Sequence, residues 1–211
     1  MVTADATVVF AATNVVGLIA FAIVGVLKGR DADLDLFGIV VLGLLTALGG
    51  GTLRDVLAGR VPTALQSTSD VSVALLGVVV GVALAAALQD RVDGRLRDHP
   101  VLLLPDAVGL AAFAATGALV GMSAALSPFG VVVLATLTAV GGGSLADLLV
   151  VRVPAVLRED FYATPAALGG VGFWVAVEAG IRPGRASFVC AGLVLTLRLL
   201  ALRYDWRLPS L

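Results

Sequence analysis

Two carboxylates sit at matched places in this chain. Asp55 closes the run Gly49-Gly50-Gly51-Thr52-Leu53-Arg54-Asp55, and Asp147 closes Gly141-Gly142-Gly143-Ser144-Leu145-Ala146-Asp147. Thr46 and Thr138 stand three residues before the two glycine triplets. Carboxylate, hydroxyl and backbone oxygens are hard ligands, and acidic side chains at a narrow pore favour cations. The chemistry this set can do is therefore the passage or binding of small cations. Enzymatic chemistry is not expected. There is one histidine, His99, and one cysteine, Cys190, so no Ser–His–Asp set, His/Cys metal cluster or disulfide framework can be assembled, and no GxxxxGK[ST] loop is present. No metal site is expected.

The elements that must carry these residues are apolar throughout. Of 211 residues, 59% are hydrophobic and only 14% charged, and the mean hydropathy is +1.05. Soluble domains carry about 25% charged residues, so a lone soluble domain and a disordered chain are both excluded. A net charge of −1 gives no global basic surface for nucleic acid. On the scale of roughly 20 apolar residues per membrane-spanning helix, seven spans are read, near residues 6–27, 36–59, 71–88, 102–122, 128–151, 163–181 and 186–202. The connections are short, so residues 1–211 are expected to form a single transmembrane domain. The first span is not read as a cleavable signal, because nothing basic precedes it and Asp5 stands where a positive segment would be. One set of loops and span ends holds Lys28, Arg30, Arg91, Arg95, Arg97, Arg152, Arg158, Arg203 and Arg207; the other holds Arg60, Arg182, Arg185 and Arg54. The positive-inside rule assigns the first set to the cytoplasm, with the N-terminus outside and the C-terminus cytoplasmic, in a multi-pass protein of the cell membrane.

An internal repeat is the strongest signal. Residues 14–62 lie over residues 106–154 at a constant offset of 92 positions, with more than half of the pairs identical. Gly17/Gly109, Phe21/Phe113, Gly25/Gly117, Asp55/Asp147, Arg60/Arg152 and Pro62/Pro154 all coincide. Chance apolar similarity does not keep Gly, Asp, Arg and Pro in register over such a length. Each copy holds three spans, one at about residues 6–90 and one at about 102–182; the seventh helix, at about 186–204, lies outside. Three is odd, so the second copy enters the membrane from the opposite face. The expected fold is thus all-α, with two inverted three-helix repeats plus a seventh helix, an arrangement common in transport proteins.

The triplets Gly49-Gly50-Gly51 and Gly141-Gly142-Gly143 are expected to act as hinges and to break the second and fifth helices, since each glycine costs about 1 kcal/mol relative to alanine. Thr52 with Asp55, and Ser144 with Asp147, then read as capping boxes that restart each helix. Two such breaks should meet near the bilayer centre, where Thr46, Thr52, Asp55, Thr138, Ser144 and Asp147 would line an ion path. Thr46 and Thr138 have a plainer alternative, a bond back to their own helix. Arg54 has Ala146 as its repeat mate. A charge at that depth needs a partner, so Arg54 is either a static ion pair or a movable gate. Adjacent helical residues diverge by about 100°, so a partner across helices is expected rather than Asp55. Asp106, the mate of Asn14, is placed either at the interface or on the path.

At the paired glycine runs the sequence resembles the prokaryotic branch of the trimeric intracellular cation (TRIC) channel family, through "GGGTLRDVLAGRVP" and "GGGSLADLLVVRVP". The resemblance covers essentially the whole chain. It implies a homotrimer with an ion path inside each subunit, permeable to potassium and other monovalent cations, without a TVGYG filter. Permeant potassium or sodium ions and membrane lipid are then the ligands to expect, with no cofactor and no nucleic acid partner. The reading is a monovalent-cation channel whose path passes the second and fifth helices. The alternative is a secondary transporter of a small solute such as an amino acid, since inverted repeats serve both.

Overall fold

A computed structural model describes residues 4–88, 99–158, 161–204 and 206. Arg91, Arg95, Arg97 and Arg207 of the positive set lie outside the described residues. The helices are α1 (Ala4–Arg30), α2 (Leu36–Leu57), α3 (Thr63–Gln66), α4 (Thr68–Ala87), α5 (Pro100–Ser123), α6 (Pro128–Leu149), α7 (Ala155–Arg158), α8 (Ala163–Glu178) and α9 (Pro183–Tyr204). Six of them are long and apolar enough to cross a membrane. The expected span at 163–181 is the exception. It forms α8, only 16 residues long, because Gly180 turns left-handed at φ 87° and Ile181 N–H closes back on the Ala176 carbonyl.

The repeat is visible down to its turns. Asp35 caps α2 by accepting from Gly38 N–H, and its mate Ser127 caps α6 by accepting from Gly130 N–H. Asp33 and Ala125 are both left-handed at φ 54°, and so are Gly59 (φ 70°) and Val151 (φ 55°). Each pair is 92 positions apart. The loop after α2 ends with Arg60 N–H on the Asp55 carbonyl, and the loop after α6 with Arg152 N–H on the Asp147 carbonyl.

The copies run in opposite directions. α1 ends where α5 begins, with Leu27 packed on Leu102, and the two helices pair antiparallel. Phe113 of α5 fills the space over Gly17, and Phe21 of α1 fills that over Gly109. The two rings meet edge-on, with centroids 5.2 Å apart. Gly25 lets α1 lie on the backbone of α2 at Leu42 and Gly43, as Gly117 lets α5 lie on α6 at Leu134 and Ala135. α9 packs against α5 and α8. One end of the bundle holds Arg54, Arg60, Arg182 and Arg185, and the other Lys28, Arg30, Arg152, Arg158 and Arg203.

The glycine triplets do not break their helices. α2 runs unbroken from Leu36 to Leu57, and α6 from Pro128 to Leu149. The triplets are instead where the two backbones cross. A Cβ on Gly50 would collide with the Thr138 carbonyl oxygen, and one on Gly142 with the Thr46 carbonyl oxygen. Gly49 faces Leu145, and Gly141 faces Leu53. Close packing between the helices offsets the poor propensity of glycine, which is a weak prior that tertiary context overrides. Because no helix restarts at Thr52 or Ser144, the capping boxes are not formed either; Ser144 donates to the Val140 carbonyl of its own helix.

The crossing gives a direct test. Gly50→Ala and Gly142→Ala should each destabilise the protein by about 1–3 kcal/mol through overpacking, seen as a lower Tm in detergent. Gly192→Ala, inside α9 with nothing within 4 Å of the added carbon, should not lower the Tm and should raise it slightly through helix propensity.

Candidate functional site

Each repeat aspartate binds with both oxygens. Asp55 Oδ2 accepts from the N–H and the hydroxyl of Thr63, both at 2.9 Å. Asp147 Oδ2 accepts from Ala155 N–H at 3.0 Å. Each carboxylate therefore holds the start of a short helix, α3 or α7, eight residues downstream, and not a restarted half of its own helix. The other oxygen holds a cation. Asp55 Oδ1 meets Arg54 at Nε (2.9 Å) and Nη2 (2.8 Å). Asp147 Oδ1 meets Lys28 Nζ at 2.7 Å. All four residues are buried.

The Arg54 pairing corrects the cross-helix expectation. Its long side chain reaches back to its own neighbour, with the guanidinium 5.2 Å from the Phe10 ring centre and beside the open space at Gly51. Its Nη1 is buried with no hydrogen-bond partner among the described residues. In the second copy the cation comes from a different helix: Lys28 on α1 fills the place beside Gly143 that Arg54 fills beside Gly51.

Two cavities flank the α2–α6 crossing, one at each end. The larger, about 970 Å³, is lined by Arg54, Asp55, Arg60, Val61, Thr63, Val120 and Ser123. The smaller, about 40 Å³, is lined by Lys28, Asp31, Asp147, Arg152, Val153 and Ala155, with Asp106 and Tyr162. Asp55/Asp147, Arg60/Arg152, Val61/Val153, Thr63/Ala155, Ser123/Asp31 and Val120/Lys28 are repeat mates, so the two are versions of one cavity. Even the clasp across each mouth repeats. Arg60 Nη2 donates to Ser123 Oγ at 2.8 Å, and Arg152 Nη2 to the Asp31 carbonyl at 2.8 Å; Arg152 also pairs with the Asp31 carboxylate at 2.9 Å.

The remaining expected residues divide. Thr46 and Thr138 are fully buried at the crossing, and each donates at 2.6 Å to its own helix, to Leu42 and Leu134. Neither lines either cavity. Thr52 lines a small space of about 10 Å³ beside Arg54, Asn14 and Asp70, room for about one water. Asp106 does not lie at an exposed interface. It is buried on the smaller cavity, accepting from Tyr162 at 2.9 Å, with Arg198 at 3.9 Å and stacked 4.6 Å over the Tyr162 ring. The mates Asn14 and Asp70 bond to each other at the opposite end, at 3.1 Å. Sequence reasoning gave Lys28 no place in the site and missed Tyr162, Asp70 and Arg198. Their signals were present: a charge inside an apolar span, and the 92-residue offset that ties Tyr162 to Asp70.

Comparison with known proteins agrees with this geometry. A family model described as glycine transporter matches twice, at residues 11–86 and 103–178, again 92 positions apart. A UPF0126 membrane protein of Deinococcus radiodurans is 39% identical over 93% of this chain and 89% of its own length. The UPF0126 inner membrane protein YadS of Escherichia coli K12 is 35% identical, over 93% of each. Among solved structures, a TRIC cation channel studied for its conductance superimposes with a TM-score of 0.85 and 34% identity, over 96% of this chain and 97% of that one. A TRIC channel orthologue from Rhodobacter sphaeroides gives 0.84 and 31%, over 94% and 99%.

The Lys28–Asp147 pair has a measurable signature. Asp147→Asn leaves a buried ammonium without its counter-charge and should cost about 3–5 kcal/mol, whereas Lys28→Met with Asp147→Asn, which removes both charges, should cost clearly less. Thermal unfolding of the singles and the double in detergent closes the cycle.

Proposed function

Because this chain belongs to the family of UPF0126 and prokaryotic TRIC-channel membrane proteins, we propose that it is a passive channel for monovalent cations, potassium included. The path runs within each subunit, from the larger cavity past the α2–α6 crossing to the smaller one. The observation that carries this reading is the pair of buried, repeat-related carboxylates, one on each cavity. The intervening crossing is packed shut, so this conformation is the closed one. Asp55 and Asp147 raise the local concentration of cations, Thr52 lies beside the route at the Arg54 end, and Arg54 and Lys28 neutralise the carboxylates while the path is shut. Thr46, Thr138 and Ser144 would join the lining only on a separation of α2 from α6.

By the positive-inside rule the Lys28 end faces the cytoplasm and the Arg54 end the outside. The assembly is a homotrimer in the cell membrane; one solved relative is named a trimeric channel orthologue, which supports the trimer, and the six long apolar helices support the membrane location. Exposed apolar side chains such as the repeat mates Phe37 and Phe129 meet lipid or neighbouring subunits.

A second reading is carried by the family model's own description and by Arg54 Nη1. Arg54 lines a cavity of about 970 Å³, and its buried Nη1 lacks an acceptor among the described residues, which suits the carboxylate of a small amino acid. In that case the unequal cavities are the open and shut sides of a glycine carrier.

Planar-bilayer recording of the purified protein under a potassium chloride gradient separates the two. Discrete steps reversing near the potassium potential are the expected result, and Asp55→Asn should lower the conductance by about tenfold. Absence of steps, together with saturable glycine uptake into proteoliposomes that Arg54→Gln abolishes, would establish the carrier instead.

A further inference from the structure

The geometry points to Lys28 as a tethered cation that plugs a monovalent-cation site formed by Asp147 and the Gly143 carbonyl. Its Nζ lies 2.7 Å from Asp147 Oδ1 and 3.4 Å from the Gly143 oxygen. A carboxylate and a backbone carbonyl are the oxygens that replace the hydration shell of a small monovalent cation. The ammonium reaches them from another helix, α1, and passes Gly143 at contact distance: a Cβ there would lie 3.9 Å from Nζ and 3.5 Å from the Tyr162 hydroxyl.

The molecule carries its own control. At the repeat-related position the residue is Val120, which brings no charge, and Asp55 is neutralised from within α2 by Arg54. Val120 is there part of the wall of the cavity of about 970 Å³, whereas the cavity holding Lys28 measures about 40 Å³. The amine is one of the groups that fill the smaller cavity, with Leu102, Asp106 and Tyr162 beside it. With Lys28 removed, the buried Asp147 carboxylate lacks a counter-charge and takes one from solution. The binding part of this proposal stands apart from the cation-channel reading; the effect on flux rests on it.

The test uses the full-length protein and needs no transport for its first arm. Thermal unfolding of Lys28→Met in detergent is compared in potassium chloride and in N-methyl-D-glucamine chloride at equal ionic strength. Potassium should raise the Tm of Lys28→Met, but not that of the wild type, of Lys28→Arg or of Lys28→Met with Asp147→Asn. Lys28→Gln, which keeps a hydrogen bond to Asp147, serves as the second variant if Lys28→Met does not fold. Potassium-independent unfolding of every folded variant lacking the amine would overturn the site. In the second arm, thallium influx into liposomes should rise about tenfold in Lys28→Met over the wild type. Potassium-dependent stability with unchanged influx would overturn the plug, and a wild type and variant both silent to thallium would count against the channel reading alone.

Discussion

The approach of α2 to α6, backbone against backbone, is the constraint from which the remaining architecture follows. It places Gly50 against the Thr138 carbonyl and Gly142 against that of Thr46, so no side chain can be added at either place. Two helices that touch there must present their following turns to opposite ends of the bundle. Asp55 and Asp147 are carried to those ends, each on the inner side of a cavity, and each is locked by the short helix whose first N–H it receives. The same crossing leaves the third glycine of each triplet facing a pocket that a cationic side chain fills. Support comes from α1 and α5, whose exchanged Phe21 and Phe113 rings fix the axis about which the copies are related.

Much of this was legible in the sequence because glycine, aspartate, arginine and proline keep their register when apolar residues drift. The offset between Asp55 and Asp147 gave the duplication, and three spans per copy gave the inversion. Helices α2 and α6 begin where Asp35 and Ser127 supply caps. What was not legible depends on neighbours that a linear pattern does not contain. Three glycines in a row weaken an isolated helix, yet here the lost propensity is offset by contact with another backbone. The angular argument against an Arg54–Asp55 pair treated side chains as short spokes; a guanidinium on a long flexible stem bends around to its neighbour. Asp106 was underestimated because its partners, Tyr162 and Arg198, lie 56 and 92 residues away.

The charges also distinguish the two repeat-related cavities. Coulombic balance is reached at each carboxylate, but by different routes: within one helix at Asp55, between helices at Asp147. The interhelical pair ties α1 to α6, whereas the intrahelical one joins no second helix.

That division of cations has an evolutionary corollary. Lys28 and Arg54 both belong to the first half, while the second half contributes Asp147 with Val120 and Ala146 at the matching positions. A pair made only of second halves would bury two anions with nothing to balance them, and a pair of first halves would carry surplus positive charge. The halves share a common backbone, but the charges at this core keep either one from standing in for the other.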